Sequence, residues 1–173
     1  MVQEIIKCNE ENLEEIWNIV KSCSEWLTEK GMTHWIDYYT KEIVDKKLIK
    51  TEVYGLSLDE NLIGCVSLSK SKPAYYRATH LKNFKNQNAE AVYLSMLAIL
   101  PKFHENGFAS KLIDFAEEKT KNLGIGFIRL DAYKPFERLN EFYIKRNYKL
   151  VQTRILDRLG MNFYEKSLGK LKN

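Results

Sequence analysis

The stretch Leu97-Ala98-Ile99-Leu100-Pro101-Lys102-Phe103-His104-Glu105-Asn106-Gly107-Phe108-Ala109-Ser110-Lys111 decides how this 173-residue chain folds. Residues 91–100 are apolar on both parities, which predicts a central strand covered on both faces. Helical spacing returns in Ala109, Leu112, Ile113 and Ala116 and stops at Gly124. Between strand and helix lies a short turn containing Gly107. Such a junction aims free backbone N–H groups and the positive end of a helix dipole at one spot, where they can bind phosphate. Gly107 lets the backbone approach the anion closely. The pattern G-x-x-x-x-G-K-[ST] is absent, so the turn is not a P-loop. Gly124-Ile125-Gly126 follows a helix rather than a strand and reads as a helix stop, not as a dinucleotide fingerprint.

Upstream, residues 2–8 form a short strand candidate, and Asn9 with Glu10 and Glu11 supplies an N-cap and an acidic first turn. Leu13, Ile16, Trp17, Val20, Cys23 and Leu27 then recur at helical steps, which predicts a helix over about 10–30 ended by Gly31. A second helix is expected to start at the cap Thr33 and to carry Trp35, Ile36, Tyr39 and Ile43. The β-rich runs 52–58 and 62–68, separated by Asp59-Glu60-Asn61, predict an antiparallel hairpin. Residues 69–90 hold Pro73 and the pair Tyr75-Tyr76 with little periodicity. They read as a long loop, either covering a substrate site or running as a solvated excursion.

Downstream, residues 127–133 form a strand, and Pro135 suits the first turn of a helix carrying Leu139, Phe142 and Tyr143. Residues 148–156 and 163–168, joined through 157–162 with Gly160, complete an antiparallel pair. The order β-α-α-β-β-β-α-β-α-β-β predicts one domain over residues 1–173. Its class is α/β of the α+β type, with a central mixed sheet and helices on both faces.

Composition narrows the function. The chain is 45% hydrophobic and 29% charged, as expected of an ordinary globular domain. Its lysines and arginines exceed its acids by 27 − 23 = 4, an excess that solubility explains without nucleic acid. The lysines between Lys70 and Lys85 are diffuse and carry no nucleic-acid motif. Cys8, Cys23 and Cys65 form no C-x-x-C pair, which fits reduced thiols in a cytoplasmic protein. His34, His80 and His104 have no ligand-like spacing, so no metal is expected. No cationic segment followed by an apolar run opens the chain, and the longest apolar run is too short to span a bilayer as a helix.

The junction sequence His104-x-x-Gly107-x-Ala109 resembles the Gln/Arg-x-x-Gly-x-Gly/Ala pyrophosphate loop of the GNAT N-acetyltransferase superfamily. The resemblance continues downstream in Leu139-Asn140-Glu141-Phe142-Tyr143-Ile144-Lys145-Arg146-Asn147-Tyr148, which is similar to the family's aromatic-Tyr-x-x-x-Gly-Phe helix ending. Upstream it includes the first helix and Gly31-Met32-Thr33-His34-Trp35, so it covers most of the chain. It implies a GNAT-like, mostly antiparallel mixed sheet and acetyl-CoA as cosubstrate. Leu97, Ala98 and Ile99 would then offer backbone groups to the pantetheine arm, and His104, Glu105, Asn106, Gly107, Phe108, Ala109 and Ser110 would hold the pyrophosphate. Tyr143 matches the family's tyrosine near the cofactor sulfur, where its hydroxyl would protonate the departing thiolate.

Three positions depart from that pattern. His104 stands where Gln or Arg is usual, although a protonated imidazole would still favour a phosphate. Asn147 replaces a glycine, which its tolerance of left-handed backbone allows. Phe136 occupies a place where the family often has asparagine.

The implied reaction is attack by a primary amine of a small molecule or peptide on the thioester carbonyl. Glu90, Asp131 and His80 are candidate bases, with a bound water as the alternative, and Trp26, Trp35, Tyr38, Tyr75 and Tyr76 are candidate pocket walls. No acidic cluster singles out a polyamine. A non-catalytic CoA-binding or regulatory module is the competing reading, prompted by His104 and Phe136. The sequence leaves a homodimer open.

Overall fold

The computed structural model describes residues 2–84, 87–156 and 158–169. Its strands are β1 (Gln3–Cys8), β2 (Glu52–Leu58), β3 (Asn61–Ser69), β4 (Val92–Ile99), β5 (Phe127–Tyr133), β6 (Lys149–Leu156) and β7 (Leu159–Ser167). Its helices are α1 (Leu13–Glu29), α2 (Lys41–Lys50), the short α3 (Ala78–Leu81), α4 (Phe108–Asn122) and α5 (Glu137–Lys145). The strands form one seven-stranded sheet in the order β1-β2-β3-β4-β5-β7-β6. β1 and β2, β2 and β3, β5 and β7, and β6 and β7 pair antiparallel, whereas β4 and β5 run parallel. The sheet is therefore mixed and the class α/β, as the element order predicts. Among the described residues, no helix is long and apolar enough to cross a membrane, and no group of three or more His, Cys, Asp or Glu could hold a metal ion.

Local chemistry sets most boundaries. Asn9 accepts the Glu11 amide at 2.8 Å and Asn12 accepts the Asn9 amide at 3.1 Å, so a 3-10 turn at Glu10–Asn12 leads into α1. Gly31 ends α1 at φ 77°, where the Met32 amide reaches back to the Leu27 carbonyl at 3.0 Å.

The expected start of the second helix is corrected. Thr40 rather than Thr33 supplies the cap, accepting the Ile43 amide at 3.2 Å. Residues 33–39 instead form turns, in which the Asp37 and Tyr39 amides bond the Thr33 and Trp35 carbonyls at 3.0 and 2.7 Å. Trp35 and Tyr39, whose spacing suggested helix, pack edge to face at 4.9 Å against the core.

Two further boundaries move. Phe136, not Pro135, precedes the first residue of α5. The last hairpin is tighter than expected, because Ile155 pairs with Gly160 and Leu156 with Leu159, which places Gly160 in the ladder. Asp157, part of the expected turn, lies outside the described residues, as does Lys85 of the long loop.

The chain forms two compact units, Met1–Leu68 with Ser95–Ala116 and Ser69–Leu94 with Glu117–Asn173. The first has a core of Ile16, Ile19, Val20, Val44, Val53 and Leu62, in which Cys8, Cys23, Cys65 and Met96 are also buried. Gly64 is a glycine of necessity here, since a Cβ would lie 2.8 Å from the Ala98 carbonyl oxygen and would overlap Ile99 Cδ1.

In the second unit the long loop contains the short α3 and buries Tyr76, His80 and Phe84, while most of its other described residues are exposed. Tyr76 and Phe84 are buried with Tyr93, Met161 and Phe163. Arg129 and Glu165, register partners on β5 and β7, form a buried ion pair with Nε and Oε2 2.9 Å apart.

Two outcomes test this description. Gly64→Ala should lower stability by about 1–3 kcal/mol through overpacking against backbone, measured by urea denaturation. His34 is buried, which lowers its pKa from 6.5 to about 4 against an opposing pull from Asp37. Between those values the unfolded chain binds a proton that the folded chain refuses, so stability falls as pH drops through that window. Urea midpoints from pH 7 to 4.5 should show this slope, and His34→Gln should flatten it.

Candidate functional site

In the first unit the site begins as a distortion of the central strand. Met96 has φ 53° although it is 3% exposed in mid-strand, a left-handed conformation that interrupts the ladder as a bulge does. Beyond it, the Ala98 carbonyl lies against Gly64 and the Leu100 amide donates to the Ile63 carbonyl at 2.8 Å, so both residues face β3. Strand alternation then turns the backbone groups of Leu97 and Ile99 to the opposite edge.

The Ile99 carbonyl on that edge is already engaged. It accepts the Cys23 thiol at 3.1 Å and His104 Nε2 at 2.8 Å. A carbonyl can only accept, so Nε2 carries the proton. The imidazole also meets the Trp26 ring edge to face at 4.7 Å. His104 therefore braces the turn against the strand through Ile99, rather than offering Nε2 to an anion.

The turn itself is built from local hydrogen bonds. Pro101 opens a 3-10 turn, Pro101–Phe103, and Asn106 Nδ2 donates to the Phe103 and His104 carbonyls at 3.3 and 2.9 Å. Glu105 and Gly107 both take positive φ, 67° and 77°. The first helical bond of α4 runs from the Lys111 amide to the Gly107 carbonyl at 3.2 Å.

Gly107 thus stands at the cap position with no side chain to cap, and the helix supplies no acceptor for the amides of Phe108, Ala109 and Ser110. The first turn of α4 has no acidic residue, whereas those of α1, α2 and α5 contain Glu14 and Glu15, Glu42, and Glu137. A Cβ placed on Gly107 would meet nothing within 4 Å, so the space beside the turn is open. Phe108 is buried against Phe103, their rings 6.1 Å apart, and its side chain is structural. Leu97, Ala98, Ile99 and His104 through Ser110 thus lie on one strand-turn-helix whose first helical amides have no acceptor within the helix.

Tyr143 belongs to the second unit. It is 3% exposed, and burial, followed by the charge of Asp131 and the neighbouring Tyr164, holds its hydroxyl well above the usual phenol range. The rings of Phe142, Tyr148 and Tyr164 lie 5.4, 5.6 and 5.8 Å away. Asn147 ends α5 at φ 65°, and the Tyr148 amide bonds the Tyr143 carbonyl at 3.0 Å, so asparagine performs the role expected of glycine.

The asparagine that the pattern lacks at Phe136 has a counterpart in Asn140, but its contacts are internal. Asn140 Nδ2 donates to the Tyr133, Lys134 and Phe136 carbonyls at 3.0, 3.3 and 2.8 Å. Its Oδ1 accepts Asn162 Nδ2 and the Tyr164 hydroxyl at 2.9 and 2.7 Å.

The candidate bases separate clearly. His80 is buried, accepts the Arg77 amide at Nδ1 over 2.9 Å and stacks on Phe163 at 5.2 Å, a structural role. Glu90 is exposed. Asp131 on β5 is half-buried, and its Oδ1 accepts the Tyr76 and Tyr75 hydroxyls at 2.6 and 3.2 Å. Sequence reasoning named these three residues separately and missed their contact, because no periodicity links positions more than fifty residues apart. Among the candidate pocket walls, Trp26 supports His104 and Trp35 packs on the first core.

The family model for acetyltransferases of the GNAT family matches residues 13–148. The N-acetyltransferase YesJ of Bacillus subtilis (strain 168), itself uncharacterized, is 24% identical over 167 residues, covering 91% of this chain and 86% of that protein. A GNAT-family acetyltransferase from Listeria monocytogenes superposes with a TM-score of 0.77 at 19% identity, over 95% of this chain and 94% of that one. The PaiA N-acetyltransferase of Thermoplasma acidophilum, solved in complex with coenzyme A, gives a TM-score of 0.74 at 20% identity, over 96% and 99%. The chain belongs to the GNAT acetyltransferase family.

Proposed function

We propose that this family member transfers an acetyl group from acetyl-CoA to a primary amine of a small molecule or peptide, by direct attack with Tyr143 assisting thiolate departure. The observation that carries the reading is the start of α4. Its amides at Phe108, Ala109 and Ser110 follow a glycine cap, and no acidic residue lies in the first turn of the helix. A pyrophosphate fits such a start because partial positive charge and unpaired donors coincide there. The complex of PaiA with coenzyme A supports the choice of cosubstrate.

Bound acetyl-CoA would supply the acetyl group as an activated thioester. The chain's own contributions are binding, orientation and a proton. His104, Glu105, Asn106, Gly107, Phe108, Ala109 and Ser110 form the pyrophosphate turn, with His104 acting as its brace. Leu97 and Ile99 direct backbone groups along one strand edge, and Ala98 anchors the strand to β3. Tyr143, with its hydroxyl pKa raised, keeps its proton at neutral pH and is an acid rather than a base.

A cytoplasmic setting agrees with three free, buried cysteines, in which burial pushes the Cys8 and Cys23 thiols up to about 11 and about 12. The reading treats residues 1–173 as one acetyltransferase domain.

Ser110→Glu places a carboxylate where the anion would bind while favouring the helix by ~0.3–1 kcal/mol. Calorimetry should show acetyl-CoA affinity reduced at least ~10-fold with the melting temperature retained; unchanged affinity rejects the turn as the site. Tyr143→Phe should lower kcat on the order of 10²-fold with acetyl-CoA affinity within about twofold. Full kcat removes the tyrosine from the mechanism. Binding of acetyl-CoA without transfer to any amine would instead mark a CoA-binding module.

A further inference from the structure

Of the nine residues of α5, Asn140 and Tyr143 are the buried ones. They lie three apart on one face of the helix, so whatever seats the amide also seats the tyrosine. A helix this short presents little apolar surface to fix its own rotation. An amide on its inner face is costly to bury unless its polar atoms are paired.

Both ends of the Asn140 carboxamide are paired in full. The two N–H groups of Nδ2 are shared among the Phe136, Tyr133 and Lys134 carbonyls at 2.8, 3.0 and 3.3 Å. The two lone pairs of Oδ1 receive the Tyr164 hydroxyl at 2.7 Å and Asn162 Nδ2 at 2.9 Å. The ends cannot be exchanged, because donors would then face donors and acceptors would face acceptors. Asn162 is fixed in turn, since its Oδ1 accepts the hydroxyl of Thr153, its register partner on β6, at 2.7 Å. Asn162 and Tyr164 are two apart on β7 and so project from one face of the sheet. The carboxamide is therefore a directional joint, with β7 on one side and the connection from β5 to α5 on the other.

Tyr143 is tied to the same joint, because its ring lies 5.8 Å from the ring of Tyr164, whose hydroxyl donates to Asn140. Apolar packing has no direction and would let the helix turn slightly in place. Hydrogen bonds weaken steeply off axis, so a side chain bonded at both ends admits one setting. A hydroxyl that delivers a proton to a departing thiolate is sensitive to that setting. A misplacement of about 1 Å can cost on the order of 10²-fold in rate.

We infer that Asn140, held by Asn162 and Tyr164, is the positioning residue that fixes the rotation of α5 and so aims the Tyr143 hydroxyl. This rests on the acetyltransferase reading above, in which Tyr143 is the acid, and adds the residues that place it. Asn140 acts through Tyr143 and not on the substrate.

The test is a double-mutant cycle on the full chain, with kcat from thiol release and acetyl-CoA affinity from calorimetry. n-Butylamine, tyramine and triglycine serve as acceptors. Asn140→Ala should lower kcat about tenfold or more, with KM and acetyl-CoA affinity within about twofold of the wild type. In the Tyr143→Phe background the same substitution should change kcat by less than about twofold, because the group it aims is already gone. Tyr164→Phe keeps the ring and removes one donor. It should lower kcat by a smaller factor, lose its effect in the same background, and carry the test if Asn140→Ala does not fold.

A merely structural Asn140 would lower kcat by the same factor with or without the Tyr143 hydroxyl, and that result overturns the inference. So does wild-type kcat in a folded Asn140→Ala, or in Tyr164→Phe where Asn140→Ala does not fold. An effect confined to KM or to acetyl-CoA affinity overturns it as well. Full kcat in Tyr143→Phe overturns the tyrosine's role and this inference together. A wild type that releases no thiol with any of the three acceptors overturns the acetyltransferase reading along with both. A slow Tyr143→Phe on which Asn140→Ala acts with undiminished force overturns this inference alone.

Discussion

One atom, the Ile99 carbonyl oxygen, fixes the junction on which the first unit's proposed chemistry depends. It accepts a thiol from α1 through Cys23 and an imidazole N–H from the turn through His104. Helix, central strand and turn are thereby tied at a single point, and the first turn of α4 is held beside the strand end. The His104 side chain is spent on this brace, which explains how the family's usual Gln or Arg can be absent without leaving the turn unsupported. The anion site proposed for the turn then rests on backbone amides, which do not depend on side-chain identity.

Strain and close approach accompany that geometry. Met96 holds a left-handed backbone in the middle of β4, a conformation that is costly for a residue with a Cβ and that persists only where packing over-determines it. Cys65 supports the distortion by directing its thiol to the Met96 carbonyl at 3.7 Å. Gly64 allows β3 to close on Ala98 without a Cβ in the way. The three cysteines that lie far apart in sequence are buried in one core. Two of them act as weak donors to the carbonyls that flank the useful part of the strand.

The second unit solves a different problem, that of burying polar groups without leaving them unsatisfied. Arg129 is wholly buried, pairs with Glu165, donates to the Tyr93 hydroxyl at 3.2 Å and lies 4.4 Å from the Phe84 ring centre. Removing one partner of such a pair costs ~3–5 kcal/mol, because the other charge is left buried and unpaired. Asn140 similarly uses both ends of its amide, three carbonyls on one side and two donors on the other. These networks hold α5 and the loop of residues 69–84 to the strands, and they give Tyr143 and Asp131 fixed surroundings.

The sequence by itself determined the element order, the mixed α/β class and the strand-turn-helix around Gly107. All of these follow from local periodicity and from backbone preferences that a short window contains. It also determined the left-handed end of α5, because Asn147 tolerates positive φ where glycine is usual. It misplaced the start of α2, because Trp35 and Tyr39 have helical spacing but satisfy their apolar surface by packing on the core from a turn. Only the tertiary structure decided that His104 faces Ile99, that Met96 distorts the strand, and that Asp131 receives Tyr75 and Tyr76. Each of these joins groups distant in the chain or turns a side chain to one of two faces. That choice is made by burial and hydrogen-bond satisfaction over the whole unit, which no local pattern encodes.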